Sequence, residues 1–234
     1  MLISYRHRFI FIHIPKTGGY GITKTLERYS DKIPGLTDQE NHVRAPDSIV
    51  HMKARDLRKK IPSDIWDTSF KFAFARNPWD WQVSHYHFRN QRRDSVAEGL
   101  GFSEYLNKIV NQKEPSLETS LQKDYVTDKN GRLILNFIGK VENFGKDFSY
   151  ICRKLGIDEK IPAANYSRHS YYTKYYTKKT RGMIQRKFIE DIEFFGYSFR
   201  RGNYLDWLAK REVPKITMKI ALRTRLRRLI QKIR

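Results

Sequence analysis

Residues 11–30 read FIHIPKTGGYGITKTLERYS. An apolar run leads into a lysine, two adjacent glycines and a helix-like stretch. Phe9 to Ile14 is short, apolar and rich in β-branched and aromatic residues, which predicts a buried strand. Gly19 to Tyr29 predicts a helix. A helix N-terminus presents unpaired N–H groups and the positive end of the dipole. Gly18 and Gly19 let the backbone approach an anion closely, and Lys16 adds a mobile positive charge. Such a loop suits one phosphate-like group. A surface turn with a solvated lysine is the plainer reading. The spacing departs from the nucleoside triphosphatase loop, where the lysine follows the last glycine and a Ser or Thr follows the lysine. Here Thr17 follows Lys16, but on the wrong side of the glycines.

A second stretch, FKFAFARNPWDWQVSHYHF at 70–88, repeats the plan. Phe70 to Ala75 predicts a strand and Pro78 to Phe88 a helix, with proline favoured in its first turn. The strand ends in Arg76, where a magnesium-binding strand would end in aspartate. Arg76 and Ser84, the latter about two turns into the helix, can grip a second phosphate through a forked donor and a hydroxyl. A structural ion pair is the common alternative for a lone arginine. Two phosphate grips with no acidic magnesium ligand in view suggest a nucleotide phosphorylated at two places.

Strand, loop and helix recur along the chain. The stretch DSIVHM at 47–52 suits a short strand, Ala54 to Lys60 a short helix and Phe102 to Val110 another. Residues 133–144 carry a third strand and a turn. Lys146 to Leu155 predicts a helix closed by Gly156, and Thr177 to Phe194 one long helix. The order predicts an α/β, P-loop-like three-layer fold, with a central, mainly parallel sheet flanked by helices. Ligands of such sheets sit at the strands' carboxyl ends, where both loops fall.

The 234 residues suit one domain at 1–205 plus a tail at 206–234. No apolar run reaches the roughly 20 residues that span a bilayer. The N-terminal run reads as a first strand, not a signal peptide. Cys152 is alone, so no internal disulfide or cysteine-rich metal site is possible. These features predict a cytoplasmic protein. The net charge is +21, concentrated in two places. Residues 210–234 hold ten Lys/Arg and one Glu, and residues 168–187 hold seven and no acid. An anionic partner follows. The tail ALRTRLRRLIQKIR at 221–234 is a basic amphipathic helix by pattern. It can lie on an anionic inner membrane surface, contact a polyanion or pack on protein.

With both motifs in place, the sequence resembles the PAPS-dependent sulfotransferases, especially carbohydrate sulfotransferases and their bacterial relatives. FIHIPKTGG is similar to that family's 5′-phosphosulfate loop and FAFARNPWDWQVSHY to its 3′-phosphate motif. FIGKVENFGKDFSYICRKLGI and YYTKKTRGMIQRKFIEDIEFFGYSF resemble its later helical blocks. The resemblance spans about residues 8–199. It implies PAPS as donor, PAP as product, no metal, and sulfuryl transfer to a hydroxyl or amine of a carbohydrate or glycolipid. By the same resemblance Lys16 stabilises the leaving phosphate oxygen. Pro15, Thr17, Gly18, Gly19, Tyr20 and Gly21 complete the loop, and Arg76 and Ser84 take the 3′-phosphate. Tyr20-Gly21 stands where the family often has Thr-Ser, so a hydroxyl contact there is missing unless backbone N–H groups or Thr23 replace it.

In-line sulfuryl transfer needs a positioned acceptor and neutralised charge on the leaving group. A sulfonate carries less charge than a terminal phosphate, so a lysine can suffice where phosphoryl transfer uses magnesium. The acceptor proton calls for a base. His51, between the two motifs, is the first candidate and His42 the rival, against a packing or capping role for either. Ser167 and Arg168, within NYSRHSYYTKYY at 165–176, suit contacts to adenine or the 3′-phosphate, or else form a solvated loop. Two other classes compete. A P-loop nucleotide kinase or NTPase lacks its Gly-Lys-Ser/Thr and its strand-end aspartate. A basic nucleic-acid-binding module explains the charge but not the two loops, so nucleic acid is not expected. Oligomeric state is open.

Overall fold

A computed structural model of the chain describes residues 1–36, 47–92, 97–159 and 170–199. Strand β1 (Leu2–Ser4) pairs antiparallel with β2 (Phe9–Ile12), Leu2 opposite Phe11. The single strand expected over the N-terminal run is thus two. The polar residues 5–8 turn the chain between them, with Arg8 at φ 50. Strand β3 (Phe70–Ala75) runs parallel to β2, and β4 (Phe137–Lys140) parallel to β3, in the order β1-β2-β3-β4. This is the mainly parallel sheet that the strand–helix alternation predicts.

Side chains alternate across the sheet and divide its packing into two layers. Phe9, Phe11, Phe72 and Phe74 point to one face, where they pack with Ile22, Phe144, Phe148 and Ile151. Those partners come from α1 (Gly19–Leu26) and α7 (Phe144–Leu155). Ile10, Ile12, Ala73 and Ala75 point to the other face, against Ala54, Leu57, Trp66 and Phe195. Each fully buried phenylalanine or isoleucine contributes about 1.5–3 kcal/mol of burial. Lys71 interrupts the apolar pattern of β3, and its ammonium donates to Trp66 O at 2.7 Å and Ser69 O at 2.8 Å. A third core, built on helices, forms where α5 (Pro78–Gln91) leaves the sheet, around Trp79, Trp81, Tyr105, Ile184 and Phe188.

Three local expectations change. The segment DSIVHM is not a strand: Asp47–Val50 is a short helix, α2. Its last carbonyl accepts from the N-terminal ammonium of Met1 at 3.2 Å. After α3 (Ala54–Leu57) comes a further helix, α4 (Ser63–Thr68), beyond Pro62. Downstream of α6 (Phe102–Asn111), the long helix expected from Thr177 divides into α8 (Lys178–Lys187) and α9 (Ile189–Phe195). Phe188, at φ −112 and ψ 28, makes the break. It commits Ile184 and Phe188 to the helical core while Phe195 and Tyr197 reach the sheet. Helix α7 closes at Gly156, φ 64, as its sequence predicts.

Candidate active site

The loop between β2 and α1 is shaped by close packing. Gly18 caps α1 in the left-handed region at φ 84, and a Cβ there would meet the Phe144 ring at 2.7 Å. A Cβ on Gly19 would meet His13 at 2.0 Å. Lys16 also has a positive φ, 59, which only two non-glycine residues show among the described residues. That conformation costs about 1–2 kcal/mol and curls the loop around the helix end. Thr17 is buried and donates to Ile14 O at 2.9 Å, so its hydroxyl braces the loop. Tyr20 stands on the first turn and is 48% exposed, with the Lys24 ammonium 5.0 Å from its ring centroid. With no side chain capping α1, its first N–H groups suit an anion.

The second loop leaves the neighbouring strand beside the first. Arg76 is clamped at its backbone by the Gln122 amide: Arg76 N donates to Oε1 at 3.0 Å and Gln122 Nε2 donates to Arg76 O at 2.9 Å. Its Nε donates to Asp80 at 2.8 Å and its Nη1 to Lys16 O at 3.3 Å. Asn77 caps α5 by accepting from Trp79 N at 3.1 Å. Glu142 accepts from Asn77 N at 2.7 Å and so holds the second loop. Trp81 Nε1 donates to Pro15 O at 2.7 Å. Two bonds therefore lock the loops together. Ser84 lies buried on α5.

His51 reaches the first loop from the end of α2. Its Nδ1 lies 2.9 Å from His13 O, and the two rings meet edge-on with centroids 4.5 Å apart. A carbonyl only accepts, so Nδ1 donates the hydrogen in this contact. The sequence expectations for Lys16, Gly18, Gly19, Arg76 and His51 thus meet at one end of the sheet. His42, Ser167 and Arg168 lie outside the described residues, as does the tail.

A sequence model of the sulfotransferase family matches residues 1–198. The chain belongs to the sulfotransferase family. An uncharacterized protein of Archaeoglobus fulgidus is 29% identical over 112 residues, covering 47% of this chain and 87% of that protein. Among solved structures, a mouse sulfotransferase complexed with PAP is 15% identical. It aligns over 81% of this chain and 85% of its own with a TM-score of 0.43.

The electrostatics of this sulfotransferase are graded. Burial, with Arg76 and Arg92 nearby, lowers the Lys16 ammonium from 10.5 to about 8. Behind the site, burial lowers His85 to about 4, so its ring is neutral at pH 7. Burial alone would raise Glu118, but His85 and Arg89 hold it at about 2. Arg89 Nε donates to Glu118 at 2.6 Å, and Gln82 Nε2 to the Glu118 carbonyl at 2.8 Å. Asp191 is fully buried and accepts from Gln122 N at 2.9 Å and Lys123 N at 2.8 Å. Burial raises its carboxyl to about 7. Gln122, Glu118 and Asp191 escape the sequence reading because each lies far along the chain from the loop it supports. No local spacing marks them.

Proposed function

We propose that this sulfotransferase moves the sulfuryl group of PAPS to a hydroxyl or amine of a carbohydrate acceptor by in-line displacement. The observation that carries the reading is the interlock at adjacent parallel strand ends, Arg76 Nη1 on Lys16 O and Trp81 Nε1 on Pro15 O. The interlock sets Lys16 and its loop beside Arg76, which supports a reading in which one nucleotide with phosphates at both its 5′ and 3′ ends spans the two loops. The residues present fit that donor: an uncapped helix start, two left-handed backbone positions and cations from both loops.

Lys16 donates to the leaving phosphate oxygen as the S–O bond breaks. Arg76 and Ser84 hold the 3′-phosphate, with Ser167 and Arg168 as further contacts. His51 Nε2 takes the acceptor proton while Nδ1 stays bonded to His13 O, and the new S–O bond forms on the acceptor oxygen. The loop backbone stands in for the hydroxyl that Tyr20-Gly21 lacks. The basic tail at 206–234 serves as a peripheral contact with an anionic membrane face or polyanion in the cytoplasm.

Thermal shift tests the reading. PAP without magnesium raises Tm, and ATP with magnesium raises it far less. The reverse order overturns the proposal. A labelled-sulfate transfer assay over a panel of glycans and glycolipids then identifies the acceptor, and transfer to none of them removes the carbohydrate assignment.

A further inference from the structure

The Lys16 ammonium sits 3.8 Å from the centroid of the Phe88 ring. The Arg92 guanidinium sits 4.3 Å from the same centroid. Among the described residues neither cation pairs with a carboxylate, while Arg76 beside them is paired with Asp80. Phe88 itself is half-buried and packs into none of the three apolar cores. An aromatic ring that fills no core and carries two cations calls for another explanation than packing.

We propose that Phe88 is a positioning residue for the transfer: its ring holds the Lys16 ammonium beside the phosphosulfate loop and yields it to the leaving oxygen when the donor binds. This rests on the sulfotransferase reading of the site. A buried ammonium needs a partner, and a carboxylate would supply one. That carboxylate would also cancel the charge the leaving group requires and compete with the donor for the same hydrogen bonds. A ring face attracts the cation while adding no net charge, so the positive charge stays whole for the donor. Arg92 on the same ring and Arg76 across the loop repel Lys16, which weakens its hold on any resting place. Among the described residues, the charged and titratable groups facing Lys16 are Arg76 from the strand-end loop, His85 from α5 and Arg92 just past its end.

The test uses full-length protein with 13C-labelled lysine. In the wild type, the Lys16 ε-CH2 signal should be shifted upfield by the ring. The shift should disappear on adding PAPS or PAP, and in Phe88→Leu. That variant keeps apolar bulk without a π face. Its kcat should fall about tenfold while the PAPS KM changes by less than about threefold, and Phe88→Trp should retain most of the rate. Lys16 without an upfield shift, or unchanged kcat in Phe88→Leu, would overturn the proposal. So would loss of PAP binding and of folding in that variant, since both point to a structural ring. Failure of PAP to bind the wild type overturns the donor reading and this one together. PAP that binds but leaves the shift in place overturns the Phe88 role alone.

Discussion

Lys16 combines a strained backbone, an aromatic resting place and a lowered ammonium, and each has a consequence at the bench. Lys16→Ala should lower kcat about 10²–10³-fold with Tm little changed, because in the proposed mechanism the side chain serves the leaving oxygen rather than a core. Steady-state kinetics and thermal unfolding on one preparation check this. The proposed role requires the proton on Lys16, so kcat/KM should decline as pH rises through about 8. Lys16→Arg should lose that limb, whatever its rate. The same shift acts on stability. The folded group titrates near 8 and the unfolded one near 10.5, so the unfolded chain binds more protons between those values. Stability from this group therefore rises with pH across that window. In the proposed mechanism His51 Nε2 takes the acceptor proton while Nδ1 stays bonded to the His13 carbonyl. His51→Ala should slow turnover by about 10²-fold and spare PAP affinity, measured by calorimetry. An unchanged rate would move the base elsewhere.

At the scale of elements, the strand–loop–helix joints are rigid because each is tied from a distance. Gly19→Ala puts a methyl into the His13 ring, and His13 supplies the carbonyl that orients His51. We expect this variant to lose activity as well as several degrees of Tm, unlike Lys16→Ala. Asp191 holds the start of the turn that carries Gln122, and Gln122 clamps Arg76. Its carboxyl is raised to about 7 from 3.8, so the folded state binds more protons between those values. Stability from Asp191 is thus present at low pH and lost as pH rises toward 7. Asp191→Asn should flatten the dependence of Tm on pH between 4 and 7, and a slope equal to wild type would refute the assignment.

For the whole molecule, charge and ligand linkage dominate. PAP at about 100 times its Kd should stabilise the fold by about 2.7 kcal/mol, read by chemical denaturation. A net charge of +21 should make binding of anionic ligands weaken between low and physiological salt, since exposed charges are screened beyond about 8–10 Å. Salt-independent PAP affinity would mean that only the buried contacts count.

Much of this protein was legible before folding. The alternation of FIFI and FKFAFA with loops and helices points to a parallel sheet, because strands buried on both faces read as nearly continuous apolar runs, broken here only by Lys71. Lys16, Gly18, Gly19 and Arg76 are legible for the same reason: a loop that holds an anion needs its glycines and cations within a few residues of a strand end. The break at Phe188, the helix at Asp47–Val50 and the hairpin of β1 with β2 were not, since each depends on which core or partner the segment meets. Tertiary structure alone decided what supports the site. Gln122 clamps Arg76 from 46 residues away, His51 binds a carbonyl 38 residues back, and the Phe88 ring faces Lys16 from the second helix of the site. Such contacts are set by distance in space, which the spacing of residues along the chain does not encode.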